Sequence, residues 1–252
     1  MGMTAKIGVV MTGAKPGILA LREGRQGPER GEPPRRPWRG SAGNTGAPIF
    51  NVSTAVLWLV VANLAVHLIR LLLPDDADAR LVYAFGLVSA RITGAMAWGP
   101  VDPLPLVTYQ FLHAGFDHLG INMLALLAFG VGLERWIGPG RFLALYFLSG
   151  IAGGVAQIVL FPGSPVPLLG ASAAISGCFA AIIRLVTGAG RGAQGGGLRQ
   201  VGLIAVVWLV SQLLFGLIGD ETSLGVVAWW SHIGGFLVGL VSIQFLAPRP
   251  RG

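Results

Sequence analysis

The sequence contains a single cysteine, Cys178, and few charged residues. One cysteine excludes an intramolecular disulfide framework, and no group of Cys and His residues has the spacing of a zinc site. Charged residues make up 12% of the chain, against roughly 25% in an ordinary soluble domain. Because 53% of the residues are hydrophobic, a solvated surface cannot be built from this composition. We therefore expect helices that pack within lipid.

The basic residues are placed unevenly along the chain. The formal net charge is +7, but eight of the 18 Lys and Arg residues precede residue 48. Residues 1–47 are rich in Gly, Pro and Arg and cannot bury enough apolar surface to offset the loss of chain entropy. The sequence predicts a disordered basic tail over residues 1–47 and a membrane domain over residues 48–252. Since much of the charge belongs to the tail, it gives no reason to expect nucleic acid as a partner.

Several segments are long and apolar enough to cross a bilayer, which takes about 20 such residues. Six of them qualify, at roughly 52–73, 113–133, 141–161, 168–187, 201–219 and 226–246. The predicted fold is an all-α membrane protein, a bundle of six transmembrane helices. The long connection at 74–112 is expected to form short helices at the interface.

The Lys and Arg residues also distinguish the two sides of the membrane. Arg residues lie in the tail, the 134–141 turn, the 188–200 loop and the C-terminus, whereas the opposite loops are mainly acidic. By the positive-inside rule, both termini are predicted to be cytoplasmic, which requires an even number of spans.

Three predicted spans carry polar residues at a similar depth near the non-cytoplasmic face. His118 and Asn122 share one face of the second span, and Ser172 and His232 lie near the outer ends of the fourth and sixth. A serine hydroxyl becomes an effective nucleophile when a positioned base accepts its proton, and His232 is available as that base. His118, Asn122 and the Ser172 N–H could donate to the oxyanion of a tetrahedral intermediate. Because these spans hold no carboxylate at that depth, the expected arrangement is a dyad.

The residues around these positions form three blocks that resemble the signature motifs of rhomboid intramembrane proteases. The blocks are His113-Ala-Gly-Phe-Asp-His118-Leu-Gly-Ile-Asn122-Met, Gly170-Ala-Ser172-Ala-Ala-Ile-Ser-Gly177 and Ser231-His232-Ile-Gly-Gly235-Phe-Leu-Val-Gly239. The resemblance covers residues 51–247. It implies that Ser172 is the nucleophile and His232 the base, and that His118 and Asn122 line the oxyanion site. It also implies structural residues near the site: His113, Gly170, Gly235 and Gly239.

The same resemblance implies an activity and a setting. The expected protein is a serine endopeptidase in the lipid bilayer that cuts single-span membrane proteins in or near their transmembrane segments. No metal or organic cofactor is implied, and the expected location is a bacterial plasma membrane. Gly235 and Gly239 form a small-xxx-small face, which would let the sixth span pack closely against the fourth.

One position departs from the family pattern. Gly-x-Ser-Gly reads Gly170-Ala-Ser172-Ala173 here, so a methyl group stands beside the nucleophile. A neighbouring helix that has moved outward would accept the methyl, whereas an unchanged scaffold would be crowded by it. The alternative interpretation is therefore a catalytically inactive rhomboid-like protein that binds and escorts membrane clients.

A third hypothesis is a small transporter that uses His113, His118 and His232 as a proton relay. It is disfavoured because the spans show no repeated halves and no membrane-embedded carboxylate.

The remaining polar residues of the spans have structural interpretations. Ser176 is assigned to packing, and His67 and Arg70 are placed near the outer end of the first span, where long side chains reach the interface. The pair Glu134-Arg135 is expected to form an interfacial ion pair or to cap the second span. Cys178 is expected to be a small buried hydrophobic residue.

Overall fold

A computed structural model describes residues 53–97, 102, 104–188, 196–218 and 225–247 of the chain. The tail predicted over residues 1–47 lies outside the described residues. The described part consists of helices and their connections. An isolated antiparallel β-bridge joins Leu87 and Leu168. The prediction of an all-α protein is confirmed for this part of the chain.

The described helices follow the predicted order along the chain. In sequence they are α1 (Thr54–Leu71), α2 (Asp75–Phe85), α3 (Ser89–Ile92), α4 (Pro105–Thr108), a 3-10 turn (Tyr109–Phe111), α5 (Phe116–Ile137), α6 (Pro139–Leu160), α7 (Ser172–Val186), α8 (Gly196–Ile218) and α9 (Gly225–Leu246). The short helices α2, α3 and α4 fall in the connection where the sequence predicted them.

Four segments of the described chain are long and apolar enough to cross a membrane: Thr54–Leu71, Phe116–Ile137, Pro139–Leu160 and Trp229–Leu246. Two further apolar segments are shorter, Ser172–Val186 and Arg199–Trp208. Large apolar side chains on the outside of the bundle, such as Trp58, Leu124 and Phe245, are exposed in the isolated chain. A lipid environment accounts for this exposure, because a hydrocarbon solvent imposes no cost on such side chains.

Three predicted helix starts were wrong by three residues or more. The fourth span was expected from about residue 168, but α7 begins at Ser172, and the second span was expected from about residue 113, but α5 begins at Phe116. The fifth span was expected from about residue 201, but α8 begins at Gly196. At the first of these places the backbone is engaged elsewhere. Leu87 N–H donates to Leu168 O (3.1 Å), Leu168 N–H donates to Leu87 O (2.9 Å), and Gly170 N–H donates to Tyr109 O (2.9 Å). Residues 168–170 therefore hydrogen-bond to the 74–112 connection and not along a helix.

The late start makes α7 short. Its 15 residues span about 22 Å at about 1.5 Å per residue. The hydrocarbon core of a bilayer is about 30 Å thick, so α7 is shorter than this core.

Gly170 has φ +114°, a conformation that side-chain-bearing residues rarely adopt, and it lies two residues before the start of α7.

Glycines bring α9 into close contact with α7. A Cβ added at Gly235 would lie 2.8 Å from the carbonyl carbon of Ala173, and one added at Gly239 would overlap the backbone of Gly177. The close approach that the sequence predicted for this pair of helices is therefore observed.

Glu134 lies at the end of α5 and caps a different helix from the one predicted. Its carboxylate accepts the backbone N–H groups of Ala55 (3.1 Å) and Val56 (2.9 Å), in the first turn of α1. A carboxylate there satisfies N–H groups that lack intrahelical partners and interacts favourably with the helix dipole. The expectation that Glu134 caps the second span was wrong, since it joins the end of that helix to the start of the first.

The core between these helices is mainly apolar. Its largest fully buried members include Leu126 of α5, Phe142 and Tyr146 of α6, and Ile243 of α9. Cys178 is completely buried in the same cluster, as the sequence predicted.

Candidate active site

Ser172 and His232 meet where α7 and α9 cross. Ser172 is the first residue of α7, and its Oγ lies 2.7 Å from Nε2 of His232 in α9. This is hydrogen-bonding distance for a hydroxyl and an imidazole nitrogen. With Nε2 unprotonated, the serine hydroxyl donates to it, which is the arrangement in which a histidine activates a serine.

The place of Ser172 at the start of α7 puts its backbone at the positive end of a helix. The helical hydrogen bonds include Ile175 N–H to Ala171 O (3.0 Å), so the N–H of Ser172 precedes the first turn of the helical pattern. Helix N-termini carry a partial positive charge and favour anions. The Ser172 N–H is thus suited to donate to an oxyanion formed next to its own side chain.

His118 of α5 lies near the same place. Its Nε2 lies 2.8 Å from the position that a Cβ on Gly170 would occupy, and that position is 3.7 Å from Ser172 Oγ. Any side chain at residue 170 would collide with the imidazole. Gly170 therefore meets two requirements, the positive φ and the close approach of His118.

Asn122 lies one helical turn beyond His118. Its Nδ2 donates to the carbonyl oxygen of His118 (2.8 Å), and its side chain is buried. That bond uses one of the two N–H groups of the amide, so the second is the one available to an oxyanion.

His113 precedes α5 and is not part of it. It is completely buried, and its ring contacts that of His118 edge to face with centroids 5.1 Å apart. The contact places His113 against the imidazole of His118.

Ser176 is one turn beyond Ser172 on α7. Its Oγ donates to the carbonyl oxygen of Ser172 (2.8 Å), and its side chain is buried. A hydroxyl that bonds back to its own helix is engaged locally. This contact agrees with the packing role that the sequence suggested for Ser176.

The sequence assigned Arg70 a structural role near the outer end of the first span, and its contacts agree with such a role, although they lie within the protein and not at the membrane interface. Its side chain is only 10% exposed, and its Nε and Nη2 donate to the two carboxylate oxygens of Asp78 in α2 (2.7 and 3.0 Å). Its Nη1 donates to the carbonyl oxygen of His113 (2.6 Å). The acidic run Asp75, Asp76 and Asp78 was the one signal in the sequence for this ion pair, because it follows the basic end of α1 directly.

The Arg70 guanidinium also affects the acidity of its partner. The hydrogen bonds from Arg70 lower the pKa of the Asp78 carboxyl below its usual value, since they stabilise the ionised form. The Asp78 carboxyl is therefore ionised at neutral pH.

Comparison with known proteins assigns this arrangement to a family. A family model described as the Rhomboid domain matches residues 100–249, which is more than half of the chain. The chain belongs to the rhomboid family. The matched region runs from before α4 to the end of α9 and contains Ser172, His232, His118 and Asn122. With its apolar helices, the chain is an integral, multi-pass membrane protein.

Relatives within the rhomboid family include proteases and inactive proteins. Rhomboid protease GluP of Bacillus subtilis (strain 168) is 36% identical over 142 residues, 56% of this chain and 25% of the relative. Rhomboid protease AarA of Providencia stuartii is 30% identical over 99 residues, 38% of this chain and 33% of the relative. Inactive rhomboid protein 1 of Drosophila melanogaster is 38% identical over 81 residues, 32% of this chain and 6% of the relative. The chain spans about a third or less of the length of each of these relatives.

Proposed function

We propose that this rhomboid is an intramembrane serine endopeptidase that uses Ser172 as its nucleophile and His232 as its base. The observation that carries the proposal is the 2.7 Å contact between Ser172 Oγ and His232 Nε2. The two residues are 60 positions apart and lie on different helices. A partly buried hydrogen bond of this kind between two membrane helices calls for a functional reason, because polar groups inside a membrane bundle are costly.

The remaining groups at the site have roles in the same reaction. Ser172 Oγ attacks the scissile carbonyl carbon as His232 accepts its proton, and His232 then passes that proton to the leaving amine. The carbonyl oxygen becomes an oxyanion that receives hydrogen bonds from the Ser172 N–H, from His118 Nε2 and from the free N–H of Asn122. Water then attacks the acyl-enzyme, with His232 as the base, and releases the carboxyl product. His113, Gly170, Gly235 and Gly239 maintain the geometry of the site.

The membrane arrangement is part of the proposal. Helices α1 and α5 to α9 form six spans, with both termini in the cytoplasm of a bacterium and with residues 1–47 as a basic cytoplasmic tail before a membrane domain at 48–252. The substrates are single-span membrane proteins, which reach the site from the lipid. The topology is tested by placing single cysteines in each loop of a Cys178→Ser background, which lacks the native thiol. The accessibility of each new thiol from either side of the membrane is then measured. An odd number of membrane crossings would contradict this arrangement.

A second candidate function is that of an inactive relative that binds membrane clients. Two observations favour it: Ala173 stands where the family pattern has glycine, and relatives such as Inactive rhomboid protein 1 are named as inactive. The two functions differ in whether a peptide bond is broken.

The experiment that separates them uses purified wild type, Ser172→Ala and the matched control Ser176→Ala. A serine-reactive fluorophosphonate probe and a fluorogenic transmembrane peptide are offered to each. We expect labelling and cleavage in wild type and Ser176→Ala, and neither in Ser172→Ala. Binding of the peptide without cleavage or labelling in wild type would favour the client-binding function. Loss of labelling in Ser176→Ala alone would identify Ser176 as the nucleophile in place of Ser172.

A further inference from the structure

Arg70 connects three parts of the chain at one guanidinium group. Two of its nitrogens hold the Asp78 carboxylate of α2, and the third, Nη1, donates to the carbonyl oxygen of His113 over 2.6 Å. Because both partners are bonded at once and the side chain is largely buried, the guanidinium is held in one orientation. The carbonyl of His113 is therefore fixed from the side of α1.

The peptide group that Arg70 holds also contacts His118. The carbonyl oxygen of His113 and the N–H of Ala114 belong to one planar peptide unit. Ala114 N–H donates to Nδ1 of His118 over 3.4 Å, at the long end of the hydrogen-bonding range. A cation at the carbonyl polarises the peptide and makes its N–H a stronger donor, since successive hydrogen bonds reinforce one another.

This contact determines which nitrogen of His118 carries the proton. A neutral imidazole has one N–H and one bare nitrogen, and the nitrogen that accepts a hydrogen bond must be the bare one. With Nδ1 accepting from Ala114, the proton lies on Nε2. That nitrogen faces the space beside Gly170 and Ser172. The opposite tautomer would direct a lone pair at a developing oxyanion and repel it.

We infer that Arg70 is a positioning residue of the site, which acts through the peptide group between His113 and Ala114 to keep the proton of His118 on Nε2. The inference rests on the proposed function, because it assigns His118 the task of donating to the oxyanion. Arg70 itself touches no reacting atom. Asp78 holds the guanidinium in place and offsets its charge.

Arginine suits this task better than lysine. A planar guanidinium can hold a carboxylate with two nitrogens and reach a carbonyl with a third, whereas an ammonium is a single point of charge. Lysine at this position could not maintain the two Asp78 bonds and the His113 bond in the observed geometry.

The tautomer of His118 is measurable without any substrate. The chain has four histidines, so ¹⁵N-histidine labelling of the protein in nanodiscs produces a simple spectrum in which long-range proton–nitrogen correlations distinguish the tautomers. The His118 signals are those lost in His118→Gln. We expect a protonated Nε2 and a bare Nδ1 in wild type, and a mixture of tautomers in Arg70→Gln.

Cleavage kinetics provide the second measurement. In Arg70→Gln we expect kcat to fall by about tenfold while KM changes by less than about twofold, because a transition-state interaction is weakened and the substrate is bound as before. The matched control is Arg80→Gln. Arg80 pairs with Asp76 on the outside of α2, and its side chain is 72% exposed. That control should retain both the wild-type kcat and the wild-type nitrogen spectrum.

Three results would overturn the inference. They are an unchanged His118 tautomer in Arg70→Gln, an equal loss of kcat in Arg80→Gln, and a rise in KM with kcat unchanged. Should Arg70→Gln prove too unstable to purify, Arg70→Lys takes its place, and a wild-type nitrogen spectrum in that variant also overturns the inference. A wild-type protein that cleaves nothing would contradict the proposed function and leave the tautomer measurement to decide the role of Arg70.

Discussion

Replacing Gly153 of α6 by alanine is expected to impair the site through Ala173 and Ser231, the neighbours of Ser172 and His232 in the chain. A Cβ built on Gly153 would lie 2.5 Å from the Cβ of Ala173 and 2.6 Å from the carbonyl oxygen of Ser231. Ala173 follows Ser172, the proposed nucleophile, in α7, and Ser231 precedes His232, the proposed base, in α9. Gly153 is therefore a point at which α6 contacts both α7 and α9, the helices that carry Ser172 and His232.

The same geometry explains how the chain accommodates Ala173. The sequence suggested that a neighbouring helix had moved outward to accept the methyl, but α9 remains in close contact with α7 at Gly235. The space comes from α6, where Gly153 has no side chain. We therefore expect Ala173→Gly alone to change the cleavage rate by less than about tenfold, or about 1.4 kcal/mol of barrier.

The size of the Gly153→Ala effect follows from the distances. Carbon atoms in contact normally lie about 3.5–4.0 Å apart, so a Cβ at 2.5 Å requires the helices to separate by about 1 Å. Overpacking of this kind costs about 1–3 kcal/mol of stability. A displacement of about 1 Å at a catalytic pair typically lowers the rate by about 10²-fold. We expect a loss of cleavage of that order in a protein that still folds.

The assay compares wild type, Gly153→Ala, Ala173→Gly and the double variant on one fluorogenic transmembrane substrate in the same detergent, with thermal unfolding measured in parallel. The double variant should recover at least about tenfold over Gly153→Ala, since one of the two collisions is removed while that with Ser231 remains. Gly132→Ala is the control, because a Cβ at Gly132 of α5 meets open space. Equal cleavage by Gly153→Ala and Gly132→Ala, or a double variant no better than Gly153→Ala, would refute this reasoning.

Three further predictions concern the site, a helix cap and an ion pair. In the cleavage assay, Ser172→Ala and His232→Ala should abolish turnover, while Asn122→Ala should lower kcat by up to about 10²-fold because other oxyanion donors remain. In thermal unfolding, Glu134→Ala should lower stability by about 1–2 kcal/mol through loss of the cap on α1, and Glu134→Gln should lower it less. Because the pKa of Asp78 is lowered in the folded protein, its ion pair stabilises the fold at neutral pH and loses that effect as the pH falls through the lowered value. The Tm difference between wild type and Asp78→Asn should therefore be largest near neutral pH and shrink below about pH 4, whereas a constant difference would contradict the assignment.

The long helices could be predicted because their signal is local. An apolar run of about 20 residues has few alternatives to a membrane helix, so α1, α6 and α9 were expected close to their observed positions, and α5 was expected correctly except for its start. The candidate site residues could be proposed for a related reason. Each is a costly polar residue in an apolar segment, and such residues mark functional or structural sites in membrane proteins.

What could not be predicted depends on contacts between distant parts of the chain. Glu134 caps a helix that begins almost 80 residues earlier, and nothing in its own surroundings points to α1. Arg70 resembles a basic residue at a membrane interface until its bond to the carbonyl of His113 is seen. The fit between Gly153 and Ala173 involves two small residues whose sequence context is that of ordinary helix packing.

The start of α7 connects the error in the predicted fold to the chemistry of the site. A helix that began at residue 168 would use the Ser172 N–H to bond the carbonyl of Leu168, four residues earlier. In the structure that carbonyl accepts from Leu87 instead, and the positive φ of Gly170 turns the chain so that the helix begins at Ser172. The connection at 74–112 thus removes a helical acceptor and leaves the amide of Ser172 at a helix N-terminus. For the proposed reaction, the N–H that donates to the oxyanion is thus free of a helical partner because the helix begins only at Ser172, the proposed nucleophile. A prediction based on apolar runs cannot detect this start, because residues 168–171 are themselves apolar or small.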